Sequence, residues 1–341
     1  DIGIIVDVSP EVAPFSKGGG MANVPGQKAE EFVQSGLKVY IVSPLYSFRE
    51  DEATLERTYV KDETIKKFDI RYVNVVPQIY MGRHGSVPAA VAYTRKGGVN
   101  YLFLDNPNFS DSLYGQLRGN TTDRSQRVTK EHEQLRSIFL SLGALEAIKQ
   151  IDIHPSFVVG NDWMCAPLMA HLNCDASLYR HDPHFKNTQT IFFVHNNGQD
   201  YQFKLAHNQN GVELLDNLGL PRTDHAWFLD PHHPELMNFT AAAIRHARFV
   251  GTVSPGQMED FLRSDNKGGG EGLCHLFHEK NNQGRLFAIT NGLPLEVRQK
   301  GWLDFSFKDI DRADRVAVKK ALDQIKGLQK EARHKIATEH P

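Results

Sequence analysis

The first 43 residues contain a strand–loop–helix–strand pattern that decides the fold. Residues 2–43 are IGIIVDVSPEVAPFSKGGGMANVPGQKAEEFVQSGLKVYIVS. The run Ile2–Val8 is rich in β-branched residues and does not alternate regularly with polar ones, which is typical of a parallel strand buried on both faces. Met21–Ser35 predicts a helix that ends at Gly36, and Lys38–Ser43 predicts the next strand. Together these segments predict one βαβ unit with a right-handed crossover.

The same alternation of strands and helices continues to about residue 262. Further strands are predicted at Phe68–Val76, Ala90–Thr94, Val99–Leu104, Ser156–Val159, Thr188–Val194 and Phe249–Val253. Helices are predicted at Arg127–Gln150, Asp162–Asn173, Leu236–His246 and Pro255–Leu262. The segment between Val60 and Leu104 has the spacing of hairpins, with Lys96-Gly97-Gly98 as a turn. The sequence therefore predicts an α/β fold with a doubly wound parallel sheet, which binds ligands at the carboxyl ends of its strands.

Composition excludes several classes of protein. The chain has 341 residues and a formal net charge of -2, so no polybasic field indicates binding to nucleic acid or to an anionic membrane. No apolar run is long enough for a transmembrane helix. The three cysteines, Cys165, Cys174 and Cys274, lie apart in the sequence and are typical of a reducing compartment. We expect a cytoplasmic location, or the plastid stroma if the source is a plant.

The loop after the first strand carries the strongest candidate site. Gly18, Gly19 and Gly20 precede a predicted helix, so backbone N–H groups can approach a ligand closely, and Lys17 adds a positive charge. This combination suits a phosphate, although the spacing is neither a dinucleotide fingerprint nor a P-loop. Taken alone, such a glycine-rich stretch is more often an ordinary turn.

Three other predicted strands end in polar loops. After Ser156–Val159, Asp162 is a residue type that caps helices, and Trp163 is equally compatible with a place in the core. After the strand that ends at Val194, His195 is placed to donate a hydrogen bond to a ligand. In the last loop, Ser254 and Pro255 suit the start of a helix, which explains them without any function.

Together and in this order, these motifs resemble the starch and glycogen synthases, which are retaining glycosyltransferases. The stretches that carry the resemblance are Val8–Met21, Gly36–Tyr46, Leu145-Glu146, Asn161–Trp163, His195-Asn196, Leu218–Pro221, Thr252–Pro255, Gly270–Leu273 and Thr290–Leu293. The likeness extends from residue 1 to about residue 300, and its first motif is the most specific.

The resemblance implies an architecture and an activity. Such enzymes have two Rossmann-like domains that face a cleft, the GT-B arrangement. Residues 1–305 would be the N-terminal catalytic domain, and residues 306–341 a charged helical linker toward a missing C-terminal domain. The implied reaction moves glucose from ADP- or UDP-glucose to the non-reducing end of an α-1,4-glucan or maltooligosaccharide, without a metal or an organic cofactor. The chain alone is expected to be inactive, because the other wall of the cleft is absent.

The resemblance also implies roles for individual residues. Lys17 would contact the phosphates of the donor, and His195 would hydrogen-bond the transferred glucose near its anomeric carbon. Gly18, Gly19 and Gly20 would lie beneath the donor. The acceptor glucan would be bound by Asp162, Trp163, Asn196 and Tyr201.

Departures from the family pattern leave other functions open. Positions where the family usually has another residue are Gly18, Met21, Asn23, Asn161, Met164, Thr240 and Pro294. One alternative is a non-catalytic glucan-binding or scaffolding relative. Another is a nucleotide-sugar epimerase or dehydrogenase, but the first loop lacks the dinucleotide fingerprint that those enzymes need. The pairs His232-His233 and His275/His278 have the spacing of metal ligands, but no set of cysteines or acidic residues completes a site with them, so no metal site is predicted.

Overall fold

The computed structural model describes residues 3–51, 56–113, 129–264 and 270–289. These residues belong to one compact unit, Asp1–Asn291. The expected linker 306–341 lies outside the described residues, as do the Thr290–Leu293 motif and Pro294.

Nine strands form the main sheet within the described residues. They are β1 (Ile4–Val8), β2 (Lys38–Pro44), β3 (Arg71–Tyr80), β4 (Ser86–Lys96), β5 (Val99–Asp105), β6 (Phe157–Asn161), β7 (Gln189–Val194), β8 (Phe249–Thr252) and β9 (Leu286–Ala288). Their order is β9-β8-β7-β6-β1-β2-β5-β4-β3. The seven strands from β9 to β5 are parallel, and β4 and β3 continue the sheet as antiparallel hairpins. The predicted parallel strands and the predicted hairpin segment are both confirmed.

Alternate residues of β1 face two different hydrophobic clusters. Val6 and Val8 belong to one cluster, and Ile5 belongs to the other. Both faces of the strand are therefore covered, which explains why its apolar residues do not alternate with polar ones. The exception is Asp7, which is 2% exposed and needs a buried partner.

Eight α-helices connect or flank these strands in the described ranges. They are α1 (Asn23–Gln34), α2 (Lys61–Lys67), α3 (Lys130–Gln150), α4 (Ala166–Asn173), α5 (Leu178–His181), α6 (Phe239–His246), α7 (Pro255–Leu262) and α8 (Cys274–Asn282). Helix α3 is buried over most of its length, and its N-cap Thr129 accepts a hydrogen bond from the His132 amide. No described helix combines the length and the apolar character that a membrane crossing needs.

Short strand pairs and 3-10 turns complete the described structure. The two-stranded pairs are Phe48–Glu50 with Arg57–Tyr59, Lys204–Ala206 with Leu236–Asn238, and Asn208–Gln209 with Val212–Glu213. The 3-10 turns are Gly82–His84, Trp163–Cys165, Gln199–Tyr201, Leu214–Leu218, Arg222–Phe228 and Gly270–Gly272.

Two predicted helices begin later than the sequence suggested. Leu236–Asn238 is a strand, and Asn238 caps α6 by accepting a hydrogen bond from the Ala241 amide at 2.9 Å. The predicted helix from Asp162 is a 3-10 turn, Trp163–Cys165, followed by α4. Pro167 explains this break, because proline has no N–H to continue an α-helical ladder from the preceding turn.

The predicted boundaries of one hairpin strand were also wrong. The strand predicted at Phe68–Val76 is β3, Arg71–Tyr80, and Phe68 is instead the C-cap residue that follows helix α2. The register between β3 and β4 shifts between Val76 and Ile79, around Pro77. A proline has no N–H for the ladder, so it is accommodated at such an irregularity.

Candidate active site

The polar loops singled out in the sequence lie at the same edge of the sheet. Lys17 follows β1, Asp162 follows β6, His195 follows β7 and Ser254 follows β8. These four strands are parallel and occupy consecutive places in the sheet order, β8-β7-β6-β1. Their carboxyl ends therefore form one continuous edge, which is where doubly wound sheets bind ligands.

His195 is held by its backbone on both sides. Its amide donates a hydrogen bond to Asp162 Oδ1 at 2.8 Å, and its carbonyl accepts one from Gln257 Nε2 at 3.0 Å. Gln257 lies in α7, whose N-cap is Ser254, as the sequence predicted. The Asp162 side chain caps no described helix and instead accepts the hydrogen bond from the His195 amide.

The imidazole ring of His195 is fixed by a fully buried asparagine. His195 Nε2 lies 2.9 Å from Asn161 Oδ1. Asn161 Nδ2 donates hydrogen bonds to Asp7 Oδ1 at 2.5 Å and to the carbonyl of Val8 at 2.9 Å. Because both of these partners are acceptors, they fix the orientation of the amide, and its oxygen faces the histidine.

The same network extends to a buried lysine. Lys28 Nζ lies 3.2 Å from Asp7 Oδ2, and these side chains are 9% and 2% exposed. The ammonium group also lies 4.1 Å from the ring centroid of Phe193, on β7. Buried charges persist in proteins when they are paired and hydrogen-bonded. Lys28 and Asn161 together meet this requirement for Asp7.

These contacts determine the protonation state of His195. Since Nε2 faces an amide oxygen, Nε2 carries the hydrogen and Nδ1 has a lone pair. Burial, assisted by the positive charge of Lys28, lowers the pKa of the His195 imidazole to about 3. The ring is therefore neutral near pH 7. With Nε2 directed at Asn161, Nδ1 is the remaining nitrogen of the ring and is a hydrogen-bond acceptor.

Asp162 has both an unusual backbone and a perturbed carboxyl group. Its φ is 53° and its ψ is -176°, a conformation that non-glycine residues rarely adopt. Burial raises the pKa of its carboxyl group to about 7, while hydrogen bonds from the amides of His195 and Asn196 oppose this rise. The negative charge of Glu11 raises the same pKa, so the first loop lies within electrostatic range of Asp162.

The glycine-rich loop is folded around a carboxylate of its own. Glu11 is 2% exposed, and its Oε2 accepts hydrogen bonds from the amides of Gly18 at 2.5 Å and Gly19 at 3.0 Å. Successive amides that converge on an anion form a nest. The amides of Gly18, Gly19 and Gly20 were expected to face the nucleotide-sugar donor. Two of them, those of Gly18 and Gly19, instead bind Glu11, while Lys17 is exposed beside them.

Neither packing nor backbone conformation within the described residues requires a glycine at position 20. A Cβ atom at this position would meet no described atom within 4 Å, and its φ is not in the left-handed region. Helix α1 begins three residues later, and its N-cap Ala22 supplies no side-chain hydrogen bond. The space beside Gly20 lies three residues before α1, whose first two amides, of Asn23 and Val24, donate to the carbonyls of Gly20 and Met21.

The predicted acceptor aromatics differ in accessibility. The Trp163 ring is half-buried and stacks on Phe203 with centroids 4.0 Å apart, while Phe239 meets it edge-on. Trp163 therefore packs against the core. Tyr201 is 54% exposed, and Asn196 is exposed with its Oδ1 accepting a hydrogen bond from the Gly198 amide.

The loop after β7 is tied to the Gly270–Leu273 motif. Asn197 Nδ2 donates to the Gly270 carbonyl at 2.8 Å, and Gln202 Nε2 donates to the Glu271 carbonyl at 2.8 Å. The two motifs, more than 60 residues apart in sequence, are therefore held together beside His195.

Comparisons with known proteins identify the family. A family model described as the starch synthase catalytic domain matches residues 4–279. The chain belongs to this family. The resemblance inferred from the sequence motifs is thereby confirmed.

Individual relatives of the family are distant. The glycogen synthase of Thermodesulfovibrio yellowstonii is 26% identical over 298 residues, which cover 85% of this chain and 54% of that protein. The glycogen synthase of Finegoldia magna is 25% identical over 337 residues, covering 95% and 60%. The chain thus spans about half the length of the relatives it matches.

A solved structure shares the fold. It is the catalytic domain of starch synthase IV from Arabidopsis thaliana bound to ADP and acarbose, with a TM-score of 0.62 and 20% identity. The match covers 87% of this chain and 53% of that one. The α/β class with a mostly parallel sheet is therefore confirmed for this member of the family.

Sequence reasoning missed the residues that hold His195 in place. Asn161 was noted as part of a family motif and as a departure from its usual residue, but not as a partner of His195, and Asp7, Lys28 and Gln257 were not considered. A signal was present, because Asp7 interrupts a strand buried on both faces and Lys28 lies in the helix expected to cover it. Two opposite charges in such places indicate a buried pair.

Proposed function

We propose that this chain forms the N-terminal half of the active site of an α-glucan synthase. The reaction is the transfer of glucose from ADP- or UDP-glucose to the non-reducing end of an α-1,4-glucan. The observation that carries the proposal is the neutral His195, fixed at its amide, its carbonyl and its ring on the ligand-binding edge of the sheet. A polar group fixed this firmly before the substrate arrives is what electrostatic catalysis requires.

In this proposal His195 recognises the sugar of the donor. Its Nδ1 lone pair accepts a hydrogen bond from a glucose hydroxyl, because Nε2–H is already used by Asn161. With a pKa of about 3, the ring does not act as a proton donor near pH 7. His195 thus orients the glucose and contributes a fixed dipole near the anomeric carbon.

The donor phosphates face Lys17 and Gly20 in this arrangement. Lys17 is exposed and carries the positive charge, and the open space at Gly20 lets an oxygen approach the start of α1. Gly18 and Gly19 support the loop through Glu11. The remaining contacts to the diphosphate would come from a second domain, since the relatives are about twice as long.

The acceptor glucan lies on Tyr201 and Asn196 in this proposal. Sugar rings have an apolar C–H face that packs on aromatic rings, and Tyr201 offers an exposed ring in the loop that follows His195. Trp163 shapes the wall behind this surface, because one of its faces is covered by Phe203. Asp162 acts through His195, which makes it a positioning residue.

One observation favours the second candidate, a glucan-binding relative without transferase activity. Glu11 places a carboxylate on the amides of Gly18 and Gly19, where the primary proposal places a phosphate nearby. Repulsion between the two anions would weaken donor binding. Such a relative would retain the acceptor surface and bind no nucleotide sugar.

A sugar titration of the chain tests the acceptor surface, which both candidates share. We expect maltohexaose to bind with a Kd on the order of millimolar, because one open face buries little of the ligand. NMR chemical shifts would follow the binding. Tyr201→Ala should weaken it severalfold. Trp227→Ala is the matched control, since Trp227 is 49% exposed but lies beside His246, at the end of the helix that leads into β8.

The two candidates are separated by repeating the titration with ADP-glucose and UDP-glucose on the product of the complete coding sequence, because the relatives are about twice as long as this chain. Binding of either nucleotide sugar supports the transferase, and binding of maltohexaose alone supports the second candidate. If neither sugar ligand produces a response at tens of millimolar, both proposals are wrong.

A further inference from the structure

A histidine-rich cluster lies at the opposite edge of the sheet from the candidate active site. Asp152 and His154 lie between α3 and β6, and His184 lies shortly before β7. Each residue offers one ligand atom, and the three atoms lie within 4.8 Å of one another. The five residues of β6 separate this edge from the His195 edge by about 16 Å.

The spacing of these atoms matches the coordination of a small divalent ion. Asp152 Oδ1 lies 3.4 Å from His154 Nε2 and 3.3 Å from His184 Nε2. A tetrahedral ion with bonds of about 2.0–2.2 Å holds neighbouring ligand atoms about 3.3–3.5 Å apart. Two of the three separations between ligand atoms therefore fit such an ion.

A second carboxylate prepares His184 to bind a metal. His184 Nδ1 lies 2.9 Å from Asp182 Oδ1, and Lys149 Nζ lies 3.1 Å from the other oxygen of that carboxylate. A proton held on Nδ1 by Asp182 leaves the lone pair of Nε2 directed toward Asp152. This carboxylate–histidine arrangement is typical of the outer shell of metal sites.

The two imidazole rings of the cluster lie face to face. The His154 and His184 ring centroids are 4.6 Å apart, and the planes are 8° from parallel. Because a nitrogen lone pair lies in the plane of its ring, one ring must rotate before both Nε2 lone pairs converge on one ion. The His154 side chain is 57% exposed, so it has room for this rotation.

We infer that Asp152, His154 and His184 form a binding site for Zn²⁺ or a similar divalent transition metal. Two imidazole nitrogens and one carboxylate oxygen suit Zn²⁺ better than Mg²⁺ or Ca²⁺, which prefer oxygen ligands alone. The ion would join the α3–β6 connection to the segment before β7. Its role is structural, because the candidate active site lies at the other end of these strands. The inference does not depend on the proposed function.

Zinc binding to the chelator-treated protein tests this inference. We expect one Zn²⁺ to bind and to raise Tm, since an ion that binds only the folded state stabilises it. Mg²⁺ at the same concentration should not raise Tm. Co²⁺ at this site should give the visible absorption of a tetrahedral complex, which reports the geometry directly.

Variants locate the ion among the 16 histidines of the chain. His154→Ala and His184→Ala should each lower the Zn²⁺ affinity by about tenfold or more, and Asp182→Asn should lower it by a similar factor. His181→Ala is the matched control, because His181 lies three residues from His184 but bonds to the Asp175 carbonyl. It should leave the affinity unchanged.

Two results would overturn the inference. One is the absence of stoichiometric Zn²⁺ binding, and the other is unchanged binding in the His154→Ala/His184→Ala double variant, which would place the ion elsewhere. If that variant fails to fold, Asp152→Asn replaces it, since asparagine tolerates the positive φ of 53° at this position. Unchanged affinity in Asp152→Asn would likewise contradict the site.

Discussion

At the scale of single residues, the candidate site depends on the contacts that hold the His195 ring in place. His195 receives its tautomer from Asn161, and Asn161 receives its orientation from Asp7 and the Val8 carbonyl. The charge of Asp7 is in turn matched by Lys28. Each member of this series is buried or partly buried, so replacing one of them leaves a polar partner unsatisfied.

Asn161→Leu tests this series. It removes three hydrogen bonds at nearly constant volume, so we expect a loss of about 1–3 kcal/mol in the free energy of unfolding. It should also release the His195 ring from the Nε2–H tautomer. Two-bond ¹H–¹⁵N correlation spectra should show that tautomer in the unmodified chain from pH 5 to pH 8, and a mixture in the variant.

The control for this change is Asn173→Leu, which removes a partly buried asparagine that bonds to Met169 and Thr190. It should leave the His195 signals unchanged. A protonated Nδ1 in the unmodified chain at neutral pH would show that the assigned ring state is wrong.

Asp162 should make stability depend on pH. Its folded pKa of about 7 lies above the ordinary value of 3.8, so the folded state holds this proton more tightly than the unfolded state. The resulting contribution is fully present below about pH 4 and is lost as pH rises toward 7. Asp162→Asn stays neutral and keeps an oxygen for the His195 amide.

Urea unfolding at pH 5 and pH 8 measures this effect. From pH 5 to pH 8 the unmodified chain should lose the stability that the Asp162 carboxyl group contributes, whereas Asp162→Asn should not. The free energy of unfolding of the variant minus that of the unmodified chain should therefore rise by a few kcal/mol, as an order of magnitude, between the two pH values. Parallel changes in both proteins would mean that the Asp162 carboxyl group is ionised at an ordinary pKa in the folded state.

At the scale of elements, the glycine-rich loop makes a prediction of its own. Gly20→Ala should change stability by less than about 0.5 kcal/mol, because its Cβ meets nothing within 4 Å. It should nevertheless weaken binding of ADP-glucose or UDP-glucose, since the methyl group occupies the space assigned to the donor. Saturation-transfer NMR and thermal unfolding provide the two measurements.

Gly82→Ala provides the contrast for this prediction. Gly82 has a φ of 58°, and a Cβ there would lie 2.3 Å from the Asn217 Cα, so the substitution should destabilise the fold strongly. Unchanged nucleotide-sugar binding in Gly20→Ala would remove this loop from the donor site.

The sequence predicted the main elements well and the local geometry of the site less well. Strands such as β1 and β7 are buried on both faces, so their composition alone identifies them. The strand Leu236–Asn238 was taken for helix because its ladder with Lys204–Ala206 is not visible in a local pattern. Contacts such as Asn161 with Asp7 join residues 154 positions apart, which no local periodicity reveals.

At the scale of the whole molecule, the proposed function makes the described residues one wall of a cleft. Its relatives are about twice as long, and the proposal assigns most of the diphosphate contacts to the part that they have in addition. Without a second wall the departing diphosphate stays solvated. The loss of even one preorganised hydrogen-bond donor typically raises the activation free energy by about 2.7–4 kcal/mol.

We therefore expect no measurable glucose transfer by residues 1–341 alone. Incorporation of labelled glucose into glycogen by this chain would contradict that expectation.

The most direct test of the central claim is glucose transfer by the product of the complete coding sequence. Labelled ADP-glucose and UDP-glucose would be supplied in turn with maltoheptaose, and incorporation into longer glucans would be measured. We expect transfer from at least one donor, a loss of roughly 100-fold or more in His195→Ala, and no loss in Trp227→Ala. Absence of transfer from both donors, or full activity in His195→Ala, would contradict it.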